Sequence, residues 1–385
     1  MAVHYSPPPL RFTIRRLVIV IFVLFAALVL YVGAAALIAS GVHARYARRK
    51  DFPFVSIVVP ARNEEQTISN LLESLVAVDY PSDRLEVLVV NDQSVDGTRA
   101  IAEGFRGRFR CRYEIFDVEA EHTSSLRAKT RPLAQGLDHA RGEFILMPDA
   151  DNRVPPDWVK CMTSYFADGV GMVCGTTLPD ASRQISGWLT AFESVDAALL
   201  LGTCAGFSGL GKTQALIGSN FAVRRQAYDE VGTYRSLDFH DIEDLSLLYA
   251  LQATRQWQAI FPADHGTLLL TLPQKSLREL IHQRRRWMGG WRRVKPGIRA
   301  ALTIGIVVHS AWPLLLLTQG FWFLSLYGLL VAGDALVAGR MLHRYGRMHL
   351  LPVILFYPIF ATLYAIPLLL LLATKRKVKW KERTF

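Results

Sequence analysis

Apolar residues crowd the two ends of the chain and thin out between them. Residues 17–40 (LVIVIFVLFAALVLYVGAAALIAS) carry no charge and are numerous enough to cross a ~30 Å hydrocarbon core as a helix. A secretory signal has a shorter apolar core and a cleavage site, so this run predicts a retained anchor. Hydrophobicity returns beyond residue 298. Residues 301–333 lack Asp, Glu, Lys and Arg, and 351–374 are again uncharged, which predicts two or three C-terminal spans. Two crossings leave the C-terminal tail on the same face as the central region. Three place it opposite, unless one apolar segment lies along the interface. Pro352, Pro358 and Pro367 make the last run an unusual span.

Between residues 51 and 298 the pattern turns polar and periodic. Phe54 to Pro60 is a β-branched apolar run, and Asn63-Glu64-Glu65 then opens a stretch with Ile68, Leu71, Leu72 and Leu75 at helical spacing. A second strand, Leu85 to Val90, leads into Asn91-Asp92-Gln93-Ser94-Val95-Asp96-Gly97-Thr98 and another helical stretch. Tyr113 to Phe116 and Glu143 to Met147 follow as strands, the latter ending at Pro148-Asp149-Ala150-Asp151. Strands alternating with helices predict an α/β domain with a parallel, doubly wound sheet that binds ligands at the strands' carboxyl ends. No G-x-G-x-x-G follows the first strand and no G-x-x-x-x-G-K-[ST] is present, which disfavours dinucleotide oxidoreductases and P-loop NTPases. The predicted organisation is a tail and anchor (1–50), a cytoplasmic domain (51–298) ending in an interfacial helix (276–293), a membrane region (299–374) and a basic tail (375–385).

Charge sharpens this layout. Over 385 residues the formal net charge is +11. Arg45, Arg48, Arg49 and Lys50 follow the anchor, while Lys375, Arg376, Lys377, Lys379, Lys381 and Arg383 follow the last apolar run. Such clusters predict a cytoplasmic face and attraction to anionic lipid. Because they adjoin apolar runs, they point to lipid rather than nucleic acid. Cys111, Cys161, Cys174 and Cys204 show no C-x-x-C spacing, so neither a zinc site nor a disulfide framework is expected.

The candidate chemistry is acidic. Asp149 and Asp151, one residue apart after a strand, suit a divalent cation that neutralises a diphosphate. A solvated turn before a helix at Pro155-Pro156-Asp157 explains them as well. Asp96 reads as a helix cap, whereas Asp92 has no such structural reason. Glu243-Asp244 reads as first-turn acids complementing a helix dipole, or as a base. Gln283 to Trp287 (QRRRW) offers cations and an indole face; with Leu277, Leu280, Ile281, Met288 and Trp291 it also reads as a basic amphipathic helix at the bilayer. His309 and Asp334 are the notable polar groups of the C-terminal apolar region, and His240 adjoins the Glu243-Asp244 pair; all three stay outside the predicted site.

Seven motifs occur in order: VSIVVPARNEE (Val55 to Glu65), VVNDQSVDGT (Val89 to Thr98), AKTRPLAQGL (Ala128 to Leu137), MPDAD (Met147 to Asp151), GSNFAVRR (Gly218 to Arg225), IEDLSL (Ile242 to Leu247) and QRRRW. Together they resemble the membrane-bound family 2 glycosyltransferases over about residues 54–290. The ending WKERTF resembles W-K-G-R-x-[YF], with Glu382 in place of Gly. The resemblance implies a GT-A fold, a Rossmann-like mostly parallel sheet flanked by transmembrane helices, and inverting transfer from a nucleotide sugar, usually a UDP-sugar. It places Ala61 and Glu64 in the first donor loop, Asp92 at the uridine, Lys129 near the diphosphate and Asp149 beside ribose and diphosphate. It gives Asp151 to Mg²⁺ or Mn²⁺ and makes Asp244 the general base beside Glu243. Gln283, Arg286 and Trp287 then meet the acceptor and the departing diphosphate. A lipid or lipid-linked acceptor suits a chain with few spans; a polysaccharide synthase, an inactive nucleotide-sugar binder and a nucleotidyltransferase are the alternatives.

Overall fold

The computed structural model describes residues 10–119, 126, 129–180, 187–214, 218–237, 243–287, 294–317, 321–373, 379–380 and 383–384. The anchor run lies within α1 (Leu10–Gly41). The predicted alternation follows as β1 (Val55–Ala61), α2 (Ile68–Val76), β2 (Leu85–Asn91), α3 (Thr98–Glu103), β3 (Arg112–Asp117), α4 (Thr130–His139), β4 (Phe144–Pro148) and α5 (Trp158–Ser164). β1 is buried along nearly its whole length because both faces are covered. Val55, Ile57 and Val59 share a core with Ile68, Leu71 and Leu72 of α2, while Val58 packs with Leu133 and Leu137 of α4.

The next elements are β5 (Val170–Cys174), β6 (Thr176–Pro179), α6 (Gly187–Gly209), β7 (Asn220–Arg224), α7 (Arg225–Glu230), α8 (Thr233–Ser236), α9 (Glu243–Ala253), β8 (Gln258–Ile260) and β9 (Leu268–Thr271). The main sheet runs β3-β2-β1-β4-β7-β5-β8. Its first four strands are parallel, and β7 is antiparallel to both β4 and β5. β6 and β9 form a second, parallel pair.

Beyond β9 come α10 (Leu277–Trp287), α11 (Pro296–Ala311), α12 (Phe321–Arg344) and α13 (Tyr357–Ala373), the last preceded by a 3₁₀ stretch at Met348–Phe356. Among the described residues, four helical stretches are long and apolar enough to cross a membrane: Ile21–Gly41, Gly187–Gly209, Phe323–Arg344 and Met348–Pro367. The apolar part of α11, Leu302–Ala311, rises only about 15 Å, half a hydrocarbon core. Two long C-terminal spans, not three, are therefore present among the described residues. The prolines mark where the last one changes form: Pro352 lies in the 3₁₀ stretch and Pro358 in the first turn of α13, where a missing N–H costs no helical bond.

α6 is the element that the hydropathy pattern did not separate from the polar central region. Both its ends return to the α/β domain, at β6 and β7, and α1 and α12 pack along it. Small residues permit this. A Cβ on Gly206 would strike the Ile38 carbonyl of α1, and one on Gly202 would lie 2.7 Å from Met341 and 2.8 Å from Val337 of α12. The linker after α1 is also docked. Arg48 pairs with Asp264 and the Tyr165 hydroxyl, and Arg49 reaches Asp51 and Glu143, so of the four basic residues there only Arg45 and Lys50 are exposed without a recorded carboxylate partner. Burial opposes ionisation of Asp264, but the Tyr165 hydroxyl, the Gly266 amide and Arg48 overcome it and hold the carboxyl below its ordinary value.

Gly206→Leu should lower the thermal midpoint of the full chain in detergent, since overpacking at a backbone contact costs about 1–3 kcal/mol or more. Gly33→Leu, where nothing lies within 4 Å, should leave it unchanged; equal shifts for both would count against the α1–α6 contact.

Candidate active site

Strand order reverses between β1 and β4, and open α/β sheets bind ligands in the crevice such a reversal creates. Ala61 ends β1 and accepts the Asp92 amide at 2.8 Å, so the first two loops start side by side. Asn63 and Gln93 have left-handed backbones, φ 51° and 57°, which turn each chain sharply after its strand. The loops are then laced together: Asn63 N donates to Ser94 Oγ (3.1 Å), Glu64 N to Thr98 Oγ1 (2.7 Å) and Gly97 N to Glu65 Oε2 (2.9 Å). Glu64 accepts from Thr67 Oγ1 at 2.7 Å. Asp96 reads as a helix cap in sequence; the cap position of α3 is Gly97, and Asp96, one residue earlier, accepts from the Thr98 amide and hydroxyl.

Asp92 does have structural partners, which its sequence context does not disclose. Its side chain is 4% exposed, Arg131 Nη2 donates to it at 3.0 Å, and Arg62 donates to its carbonyl at 2.7 Å. Arg131 Nε is buried without a hydrogen-bond partner among the described residues, the kind of orphaned donor that a bound nucleotide satisfies.

Asp149 and Asp151 follow β4. Lys129 Nζ, at the start of α4, lies 2.5 Å from Asp149 Oδ1 and donates to the Gly218 carbonyl at 2.7 Å. Asp149 N and Asn152 Nδ2 both donate to the Ser219 carbonyl, because β7 runs antiparallel to β4 with Asn220 opposite Pro148. Thr271 Oγ1 of β9 reaches Asp151 Oδ2 at 3.4 Å. On the other side of Gly218 stands Asp244: a Cβ there would lie 2.6 Å from Asp244 Oδ2. One short segment, Gly218-Ser219, thus joins the Asp149 cluster to Asp244.

Asp244 is buried in the first turn of α9 and its Oδ1 accepts the Leu245 amide at 2.7 Å. The helix-dipole reading is therefore true of its position without accounting for its approach to Gly218. Burial first, and then the nearby Asp244 carboxylate, push the Cys174 thiol well above its ordinary value. Glu243 opens α9, but its side chain lies outside the described residues, as do Met288, Trp291, His240 and most of the basic tail.

α10 divides the basic run. Arg286 is exposed and Trp287 half-buried, while Arg284 turns inward onto Asp196 of α6 and lies 4.2 Å over the Trp287 ring. Gln283 Oε1 accepts from Arg284 Nη1 at 2.6 Å. Asp196 is not evident from sequence as a site residue; with Glu193 it is one of two acids within an otherwise apolar helix, and such buried charges are paired. Arg62, Arg131 and Gly218 lie inside motifs that had already drawn attention.

The donor set at β4 is hard oxygen: two carboxylates, with no group of three or more His, Cys, Asp or Glu placed to hold a metal among the described residues. That fits Mg²⁺ or Mn²⁺, which commonly take one or two carboxylates and complete their shell with substrate phosphates.

The fold and crevice are those of a GT-A domain. Residues 56–232 match the family model described as glycosyl transferase family 2. The chain is 29% identical over 247 residues to a beta-monoglucosyldiacylglycerol synthase from Synechocystis sp., covering 63% of this chain and 49% of the relative. It is 30% identical over 191 residues to a probable glycosyltransferase, YdaM, from Bacillus subtilis, covering 48% and 43% respectively. The chain spans about half the length of these curated relatives. A mannosyltransferase from Pyrobaculum calidifontis, solved with GDP-Man and Mn²⁺, shares the fold with a TM-score of 0.54 at 19% identity, over 91% of this chain and 98% of that one.

Cys161, Cys174 and Cys204 are buried, and burial pushes Cys111 up to about 11. Iodoacetamide at about pH 8 should therefore leave the folded chain unlabelled, because alkylation needs the thiolate. Intact mass before and after denaturation checks this, and labelling of Cys174 in the folded chain would contradict the packing around Asp244.

Proposed function

We propose that the chain is an inverting glycosyltransferase that moves a sugar from a UDP-sugar to the hydroxyl of a membrane lipid, at the cytoplasmic face of the inner membrane. The observation that carries this reading is the Gly218-Ser219 bridge, which sets Lys129 and Asp149 on one side and Asp244 on the other. Diphosphate contacts and a proton acceptor flanking one point suit displacement at the carbon between them.

In this reading the laced loops at Ala61, Glu64 and Asp92 hold the nucleoside, and Lys129 with Asp149 orients the diphosphate. Asp151 would hold Mg²⁺ or Mn²⁺, which would supply charge neutralisation at the leaving group. The acceptor oxygen attacks C1, the bond from C1 to the phosphate oxygen breaks, and the hydroxyl proton passes to Asp244, whose carboxylate must be within hydrogen-bond reach. The nucleoside diphosphate leaves toward the cations of the Gln283 to Trp287 segment, among which Arg286 is exposed. Gln283 and Trp287, with Glu243 beside the base, frame the acceptor. The lipid acceptor is supported by the placement of α10 against apolar helices and by the named activity of the Synechocystis relative. Exposed Arg45 and Lys50 add attraction to anionic lipid.

Asp244→Asn should reduce transfer in membranes by about 10²-fold or more, the usual contribution of a general base, while equilibrium binding of the UDP-sugar survives. Near-normal turnover would remove Asp244 from this role. Gly218→Ala should act the same way more mildly, because its methyl displaces the carboxylate.

Chelation with EDTA should stop the reaction, and radiolabel from a nucleotide sugar should partition into organic solvent with release of nucleoside diphosphate. Long aqueous polymer would instead indicate a polysaccharide synthase, and pyrophosphate a nucleotidyltransferase.

A further inference from the structure

A cavity of about 260 Å³ opens among α1, α6, α10, α11, α12 and α13, beneath the Gln283 to Trp287 segment. Most of its wall is aliphatic. The polar side chains that reach it are already bonded to the protein. Asp196 receives Arg284 on one oxygen and the hydroxyls of Tyr357 (2.7 Å) and Tyr364 (2.6 Å) on the other. His309 sits between the Gly305 carbonyl (2.7 Å) and Asp334 (3.1 Å), Asp334 also accepts from Tyr31, and Thr203 donates to Leu199 O at 2.8 Å.

Those bonds decide what the cavity can take. Its charges compensate each other in pairs and its hydroxyls are committed, so a sugar polymer or phosphate entering it would exchange water for a surface offering few hydrogen bonds. A hydrocarbon chain loses nothing there. Four of the six wall helices, α1, α6, α12 and α13, include stretches of membrane-spanning character, so such a chain reaches the cavity from the bilayer. Trp287, on its lining, belongs to the helix that follows β9, whose Thr271 contacts Asp151.

We propose that this cavity is the binding site for the apolar chain of the acceptor, a long-chain lipid alcohol whose hydroxyl end emerges at Trp287 toward Asp244. The assignment rests on the lipid-acceptor reading above and names the part of the chain that selects the lipid.

Gly305 provides the test. It lines the cavity, nothing lies within 4 Å of where its Cβ would be, and it sits within α11. A larger residue fits without a clash and removes the helical cost of glycine. Gly305→Phe plugs the cavity; Gly328→Phe, at another glycine with open space but away from the cavity, is the control. With full-length protein in nanodiscs, kcat/KM is measured for dioleoylglycerol and for water-soluble dihexanoylglycerol. The ratio of long to short should fall by about tenfold, a 1.4 kcal/mol change, in Gly305→Phe and stay at the wild-type value in Gly328→Phe. A dioleoylglycerol analogue with a chain diazirine should label α11 or α13 in wild type and lose that label in Gly305→Phe. An unchanged ratio with wild-type transfer intact overturns the cavity alone, leaving the lipid-acceptor reading standing. Label confined to the outer faces of the helices overturns it likewise. Wild type that glycosylates neither lipid while making aqueous polymer overturns both.

Discussion

The Asp196 carboxylate is 5% exposed in the middle of an apolar helix, and its two oxygens take four donors: Nε and Nη2 of Arg284, and the hydroxyls of Tyr357 and Tyr364. A buried ion pair is costly to desolvate, and such pairs often add little net stability. What this one does is fix register. α6 belongs to the α/β domain, α10 carries the basic motif and α13 lies in the membrane region, and only one mutual placement satisfies all four bonds. Losing any one partner leaves a charge or a hydroxyl stranded in a low-dielectric interior.

Close backbone packing then extends this placement outward. Between helices in lipid there is no hydrophobic gain from association, so contact depends on small residues and polar bonds. The chain uses both: Gly202, Gly206 and Gly209 of α6 admit α1 and α12, and Tyr31, His309 and Asp334 tie α1, α11 and α12 together. The linker at Arg48 and Arg49 docks on the domain from the other direction. The domain is held to its helices from two sides.

Much of this was legible from sequence wherever local pattern decides structure. Short apolar runs mark β1, β2 and β4, period-3.6 spacing marks α2, and turn residues mark the acidic loops at the strand ends. Asp96 could be read as serving the start of α3 because its partner, Thr98, is two residues away. What was not legible depends on contacts between distant segments: Arg131 reaching Asp92, Gly218 meeting both Lys129 and Asp244, and Asp196 meeting Arg284. α6 escaped for a related reason, since Glu193 and Asp196 lower its hydropathy and its burial comes from packing against α1 and α12. The number of C-terminal spans turned on α11, where counting uncharged residues overstates the length of regular helix.

The arginines of Gln283 to Trp287 are equivalent in sequence and unequal in the fold. A helix that presents three consecutive cations cannot aim them all one way, since successive residues lie about 100° apart around its axis. Arg284 faces the membrane helices and is neutralised there, and Arg286 faces solvent. The inward arginine also covers Trp287, so that ring is held by the same cation that holds α10 to α6. Basic charge at this position therefore has two separable effects: Arg286 leaves a cation exposed, and Arg284 places the helix beside an apolar chamber. The second explains why the motif packs against the apolar helix α13.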